Sequence, residues 1–175
     1  MVTRRRFLVL VGAGGGVAAA VATGVLALPG GDASEDGFPT IRYGAEACAD
    51  CGMVIDDARY AAAWAPRGSA RGGRHFDDIG CLLNNLTKHP APEGARFFVH
   101  DYQTEAWLPA AGATYLVSTA IRSPMAYGIA AAATHEAAER LAVQYAQQGA
   151  QQGGQQGARV QPWAALLSAP VKGHA

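Results

Sequence analysis

Neither sign of charge is in excess in this sequence. Fourteen lysines and arginines balance fourteen aspartates and glutamates among 175 residues. A chain without net charge has no long-range field that would attract it to nucleic acid or to an anionic membrane surface. We therefore expect no nucleic-acid partner, and contact with a membrane only through the N-terminal segment described below.

Cysteine is scarce as well, with three residues in the chain and none before Cys48. Without a cysteine near the N-terminus there is no thiol to carry a lipid, so a lipoprotein is not expected. The length allows one ordinary domain but not two. We expect a monomer built around one core.

The N-terminus has the pattern of an export signal. Arg4, Arg5 and Arg6 precede Phe7 and Leu8, and residues 9–28 carry no charge. This order resembles a twin-arginine signal, although residues 7–28 are also numerous enough to form a permanent membrane anchor. Residues 1–28 are thus predicted to be a signal or anchor. Because the arginines stay on the cytoplasmic side, the remainder should be exported and extracytoplasmic.

Composition divides the remaining chain into four parts. Residues 29–38 are polar and glycine-rich, which is typical of a linker, and residues 39–146 contain the apolar periodicity of a folded domain. Residues 147–157 are rich in glutamine and glycine and predict a surface loop. Residues 158–175 predict a last strand, a short helical turn and a tail.

The domain has the pattern of an α+β fold with antiparallel strands and two helices. Alternating residues 60–64 and residues 74–76 predict a hairpin. Asp77 is predicted as the N-cap of a first helix over residues 78–89, and Thr134 as the cap of a second. Each helix lies between strands, so the order of elements suggests two similar halves of ββαβ type.

Two of the cysteines form the motif Cys48-Ala49-Asp50-Cys51. Such a motif occurs in redox dithiols, in zinc sites and in small disulfides. A zinc site requires a second ligand pair, for which only His75 and Cys81 come near. A thioredoxin-type dithiol requires a helix directly after the motif, but the following residues predict a turn and a strand.

Met53 favours a different metal. If residues 51–53 are extended, Cys51 and Met53 project to the same side, so that a thiolate and a thioether converge. Soft sulfur donors of this kind favour Cu(I). Core packing is the ordinary role of a methionine, and the neighbouring cysteines are what favour a metal ligand here.

Cys81 lies on the predicted first helix, nearly opposite the apolar stripe that includes Ile79 and Leu82. This position is compatible with a second packed layer or with a functional thiol. A disulfide to Cys48 or Cys51 is a third alternative in an oxidising compartment.

Five sequence blocks follow one another along the domain, at residues 48–53, 75–82, 101–107, 113–117 and 123–128. Together and in this order they resemble the NosL family of nitrous-oxide-reductase accessory proteins. The resemblance implies a fold similar to organomercurial lyase, with two related halves. It also implies that the protein binds one Cu(I) and delivers it to a copper enzyme, and that it is not itself an enzyme.

Transferred by motif, the resemblance implies that Cys51 and Met53 are ligands, with Met125 as a third. Cys48 and Cys81 complete the set of candidate metal ligands. Asp77 and Cys81 have exchanged places on the helix relative to denitrifier members, which are also typically lipoproteins. The recipient is therefore nitrous oxide reductase or another exported copper protein. The alternative function is a thiol-disulfide oxidoreductase that uses Cys48 and Cys51.

Overall fold

The computed structural model describes residues 37–69, 72–151 and 157–169. Seven strands and three α-helices follow one another along these residues, with a 3₁₀ turn at Ala110–Gly112 before β5. In chain order they are β1 Ala62–Ala65, β2 Arg74–Phe76, α1 Ile79–Lys88, β3 Arg96–His100, β4 Trp107–Pro109, β5 Thr114–Val117, β6 Ile129–Ala132, α2 His135–Gln151, β7 Arg159–Pro162 and α3 Trp163–Ser168.

The strands form two antiparallel sheets, which confirms the predicted α+β class. The first sheet has the order β2-β1-β3-β4 and the second has the order β6-β5-β7. In each half a hairpin is followed by a helix and a third strand, and the first strand of the half lies in the middle. The prediction of two ββαβ halves is therefore confirmed.

Small side chains allow the layers of the fold to approach closely. Both β1 and β6 are buried along their whole length and consist mainly of alanine. Because alternate residues of a strand face opposite sides, burial at every position means that both faces of these strands are covered. One core cluster includes Ile79 and Leu82 of α1, and a second includes Leu141 of α2.

The first helix begins one residue later than the sequence predicts. Asp78, not Asp77, is the N-cap, and its side chain accepts a hydrogen bond from the Gly80 backbone N–H at 2.8 Å. Either aspartate suits a cap. Asp78 makes further contacts, described below, that favour it as the cap. Asp77 lies in the bend between β2 and α1.

The second helix is longer than predicted. Thr134 caps it as expected, because its hydroxyl accepts a hydrogen bond from the Ala137 N–H at 3.2 Å. The helix then continues to Gln151, so the first five residues of the predicted loop 147–157 are helical. Residues 152–156 of that predicted loop lie outside the described residues.

The C-terminal residues complete the second half. Strand β7 pairs with the central strand β5, and Trp163 at the start of α3 is buried in the first core cluster. At the other end, the predicted signal and residues 29–36 of the linker lie outside the described residues. Among the helices that the structure does describe, none has the length and apolar character required to cross a bilayer.

Candidate metal centre

A tight loop carries the Cys-x-x-Cys motif. An isolated bridge pairs Ala47 with Val54, and the Cys48 backbone N–H donates to the Met53 carbonyl at 2.7 Å. Within the loop that these contacts close, the Gly52 N–H donates to the Cys48 carbonyl at 3.0 Å. Gly52 has a φ of 77°. A positive φ is open to glycine at little cost, which explains this residue at this point of the turn.

The turn at Gly52 contradicts the expectation that residues 51–53 are extended. Residues 51–53 are not extended, so the alternation of a strand does not place Cys51 and Met53 on one side. Cys51 is partly buried, whereas Met53 is 54% exposed. Met53 therefore lies at the surface beside the motif, and its role as a ligand remains a prediction.

Contacts with the first half hold this loop in place. The Ala49 N–H donates to the His75 carbonyl of β2 at 2.9 Å. The Asp50 carboxylate accepts from the Asn84 side chain at 2.7 Å and lies 3.2 Å from the Lys88 ammonium, both on α1. The loop is thus fixed against β2 and against one face of α1.

This placement brings four potential ligands together. The sulfur atoms of Cys48, Cys51 and Cys81 and a carboxylate oxygen of Asp77 all lie within 4.8 Å of one another. Cys48, Cys81 and Asp77 are buried, and Cys51 is partly exposed. We call this group the Cys3Asp cluster.

The position of Cys81 distinguishes among the alternatives for this residue, which were a packed layer, a functional thiol and a disulfide. Although Cys81 is off the leucine stripe, it is fully buried, because the Cys-x-x-Cys loop covers that side of α1. All three cysteines are free thiols. The structure thus places Cys81 in a site with the motif and contains no disulfide from Cys81 to Cys48 or Cys51.

Asp77 is a potential ligand that was not predicted from the sequence. The Cys51 thiol donates to the two Asp77 carboxylate oxygens at 3.5 and 3.6 Å. Asp77 precedes Cys81 by four residues, which is about one helical turn. This spacing indicates two side chains on one side of the helix, but a cap at Asp77, as predicted, would have used its carboxylate for the helix N-terminus.

His75 is not a member of the cluster. Its ring nitrogen Nδ1 lies 2.5 Å from the Glu46 carboxylate, and its backbone carbonyl, not its ring, holds the Cys-x-x-Cys loop. The pair of His75 and Cys81 considered for zinc is therefore not the pair that the fold assembles. Asp77 and Cys81 meet the motif instead.

The three thiols differ in acidity because their surroundings differ. A hydrogen bond from Cys81 lowers the pKa of Cys48 to about 7, against the opposing effect of burial. The same hydrogen bond and burial raise the pKa of Cys81. Burial raises the pKa of Cys51 to about 11. In the protein without metal, Cys48 is thus the thiol most readily ionised.

A loop of the second half closes over the start of α1. The free oxygen of Asp78, the one that does not cap the helix, accepts from the Ser123 hydroxyl at 2.6 Å and from the Met125 N–H at 3.2 Å. Met125 is partly buried and packs against the core cluster that contains Cys48 and Cys81. The fold therefore brings the Met125 loop to the helix that carries Cys81, while ligation by Met125 remains a prediction.

Tyr127 is the side chain of this loop that fits most closely on α1. A methyl group added to Gly80 would lie 1.9 Å from the Tyr127 ring, so only glycine leaves room for the ring at this position. Burial, with a smaller contribution from charged neighbours that include Asp50 and Asp78, raises the pKa of Tyr127 to about 12. Tyr127 thus forms part of the wall near the Cys3Asp cluster.

A comparison with protein families agrees with the resemblance seen in the sequence. A family model described as NosL matches residues 41–153, which is more than half of the chain. The match includes all four residues of the Cys3Asp cluster together with Met53 and Met125. No curated protein matches the chain.

Proposed function

The chain belongs to the NosL family, and from this premise we propose that it binds Cu(I) in the Cys3Asp cluster and delivers the ion to an extracytoplasmic copper enzyme. The observation that supports the proposal most is the convergence of three free thiols within 4.8 Å, drawn from a loop and from a helix. Thiolates are the soft ligands that favour Cu(I) over harder divalent ions.

The exposure of the ligands supports a transfer function. Cys48 and Cys81 are buried at 4% and 0% exposure, and Cys51 is the thiol that reaches the surface. Met53, two residues later, offers an exposed thioether next to it. An incoming ligand from a partner would bind the ion at Cys51 first, and the inner thiols would release it afterwards. The protein would act by binding and exchange, not by catalysis.

The site of action is proposed from the N-terminal sequence, and the recipient is proposed from the family resemblance. The arginine-led N-terminus predicts export, either as a cleaved signal or as a retained anchor. The proposed recipient is nitrous oxide reductase or another extracytoplasmic copper protein, served by a monomeric carrier.

A thiol-disulfide oxidoreductase is the rival function, and the closeness of the three free thiols favours it. The distribution of acidity opposes it. An attacking thiol must be accessible and ionised, but the accessible Cys51 has a pKa raised to about 11, and the acidic Cys48 is buried. Disulfide exchange without metal would support the rival.

The proposal is tested by titrating the reduced protein with Cu(I) under anaerobic conditions against a chromogenic chelator. We expect one tightly bound ion per chain, and Cys51→Ser should lower the affinity at least tenfold. Asp56→Asn is the control, because Asp56 is an exposed carboxylate close to the motif in sequence and outside the cluster. Weak binding by the wild-type protein, or equal loss in both variants, would contradict the proposal.

A further inference from the structure

We propose that the outer surface of residues 43–56, together with Glu105, is a docking face for a partner protein whose contact surface has an apolar centre bordered by lysine or arginine side chains. The inference rests on the proposed function, because it concerns how a recipient reaches the protein. It concerns exposed side chains outside the Cys3Asp cluster and assigns no ligand to the ion. We call the exposed side chains of residues 43–56 and Glu105 the docking face.

Exposed apolar side chains gather on this part of the chain. Five large apolar side chains are exposed among the described residues, and three of them are Tyr43, Met53 and Val54. Ala47, which forms a bridge with Val54, is exposed as well. Clustered apolar side chains at the surface, bordered by polar residues, are typical of protein–protein contact sites.

Backbone contacts hold these residues on one outer surface. The Gly44 N–H donates to the Ile55 carbonyl at 2.8 Å, and the Ile55 N–H donates to the Glu46 carbonyl at 2.9 Å. Ile55 is fully buried, whereas its neighbours Val54 and Asp56 are both exposed. Ile55 thus anchors the segment and leaves an apolar and an acidic side chain at the surface on either side of it.

Carboxylates border the apolar centre. Tyr43, Asp56, Asp57 and Glu105 contribute to the wall of an open groove of about 570 Å³. Arg59 neutralises Asp57 across a contact of 2.6 Å. Within the described part of the chain, Asp56 and Glu105 form no ion pair. The groove therefore has two carboxylates that no described cation of the chain neutralises.

The balance of charge on this face selects a basic partner. Arg42 is the only basic residue of residues 42–57, which contain four carboxylates. Two of these, Asp50 and Asp57, contact a lysine or an arginine, and the other two together with Glu105 outnumber Arg42. Such a face attracts a basic protein surface and repels an acidic one. A second copy docked through the same face would also place like charges together.

A buried histidine fixes two members of the docking face. The His100 Nδ1–H donates to the Glu105 carbonyl at 2.7 Å, and the His100 Nε2 accepts from the Tyr43 hydroxyl at 2.8 Å. This assignment follows because a carbonyl can only accept, so the neutral ring has its proton on Nδ1. Burial lowers the pKa of His100, which keeps the ring neutral. A face fixed before binding loses little conformational entropy when a partner docks.

The docking face adjoins the accessible side of the Cys3Asp cluster. Cys51 is the partly exposed thiol of the cluster, and Met53, two residues later, is 54% exposed. A partner that covers Met53 and Val54 would therefore have its own ligands beside Cys51. The ion could then pass between the proteins without release into the solvent.

The experiment uses the reduced, metal-free full-length protein and two fluorescently labelled synthetic peptides. Both peptides have the same leucine centre, which is bordered by lysines in one and by glutamates in the other. At low ionic strength the lysine peptide should bind about tenfold more tightly or better, as measured by fluorescence anisotropy. The difference should disappear in about 1 M salt, where the screening length falls to about 3 Å.

Variants locate the binding on the protein. Asp56→Asn combined with Glu105→Gln should weaken binding of the lysine peptide about fivefold, and Val54→Ser should weaken it about threefold. Glu93→Gln is the matched control, because Glu93 is an exposed carboxylate beyond the end of β3 that lies opposite His100. None of these variants should change the affinity for Cu(I), which chelator competition measures.

Three results would overturn the inference: equal binding of the two peptides, a loss in Glu93→Gln as large as in the double variant, or a dimer in sedimentation that Val54→Ser abolishes. The last result would assign the face to a second copy of the chain. Tight Cu(I) binding without a preference between the peptides would remove this inference and leave the proposed function intact. Selective peptide binding by a protein that does not bind Cu(I) would do the reverse.

Discussion

The two halves of the molecule share a topology but not a chemistry. In each half the strand order is second-first-third, as β2-β1-β3 and as β6-β5-β7, with one helix between the second and third strands. The Cys3Asp cluster lies entirely in the first half and in the loop that precedes it. The repeat therefore supplies the framework, and a few substitutions at one helix start supply the site.

The two helices differ at positions that can be compared by counting from their N-cap residues, Asp78 and Thr134. Cys81 is three residues after Asp78, and the residue three after Thr134 is Ala137. Asp77 precedes its cap, and Ala133 precedes the other. Alanine thus stands at both second-half positions where the first half has a potential ligand, and no metal ligand is offered there.

Carboxylates of the first half also join the two halves. Asp78 binds the loop that contains Ser123, and Asp101 accepts from the Ala133 N–H at 2.8 Å. Asp101 also forms a parallel bridge with Ala131 of β6. The first half thus carries potential ligands of the Cys3Asp cluster and also two carboxylates that fix the second half against it.

The largest expected effect is that of Asp78→Ala. The substitution removes a helix cap and leaves the Ser123 hydroxyl and the Met125 N–H without their acceptor. The free energy of unfolding should fall by about 3 kcal/mol in total. Thr134→Ala at the corresponding cap removes only a cap and should cost about 1 kcal/mol. Urea denaturation measures both. Equal losses would show that the contacts of Asp78 with the second half add nothing.

Asp101→Asn should have the next largest effect, and we expect it to lower the free energy of unfolding by about 2 kcal/mol near pH 7. Burial opposes ionisation of Asp101, but hydrogen bonds from the Thr104 and Ala133 backbones and neighbouring donors lower its pKa overall. A lowered pKa in the folded state stabilises the protein above the unfolded value of about 3.9, and this stabilisation disappears as the pH falls through the folded value.

The difference in unfolding free energy between wild type and Asp101→Asn should therefore be largest near neutral pH and shrink below about pH 4. Denaturation at several pH values measures it. Asp56→Asn, at an exposed carboxylate, is the control and should show little difference at any pH. A difference that grows as the pH falls would contradict the assignment.

Cys81→Ala replaces the thiol by alanine, which is the residue at the equivalent position of the second half, Ala137. We expect Cu(I) affinity to fall about tenfold or more, equivalent to about 1.4 kcal/mol, because one of three soft ligands is lost. Ala137→Ser should not change the affinity. The measurement is chelator competition, with melting curves to compare the folded fractions. Unchanged affinity in Cys81→Ala would place the ion elsewhere.

Met53→Leu should have the smallest effect. The substitution replaces an exposed thioether by an apolar group of similar volume, so Cu(I) affinity should fall by about two- to fivefold with stability unaltered. Val54→Ala, at the exposed neighbour without sulfur, serves as the control. No change in Met53→Leu would remove Met53 from the site.

Much of the fold was predictable because its elements are encoded locally. The leucine periodicity of α1, the cap at Thr134 and the hairpin of β1 and β2 each depend on residues close in sequence. These predictions are confirmed, and the two-half architecture follows from their order.

The site was less predictable because it depends on contacts distant in sequence. Whether Asp77 or Asp78 caps α1 is decided by Ser123, 45 residues away, and that choice determines which carboxylate faces the thiols. The turn at Gly52 is decided by backbone bonds that close the loop between Ala47 and Val54. Residue types predicted the soft ligands, but only the assembled fold shows the carboxylate.

The most direct measurement of the proposed copper site is the X-ray absorption spectrum of the Cu(I)-loaded protein at the copper edge. The Cys3Asp cluster predicts a first shell of about three sulfur atoms near 2.2–2.3 Å, with the sulfur count reduced in Cys81→Ala. A first shell dominated by nitrogen or oxygen, or a sulfur count that Cys81→Ala leaves unchanged, would contradict the assignment of Cu(I) to this cluster.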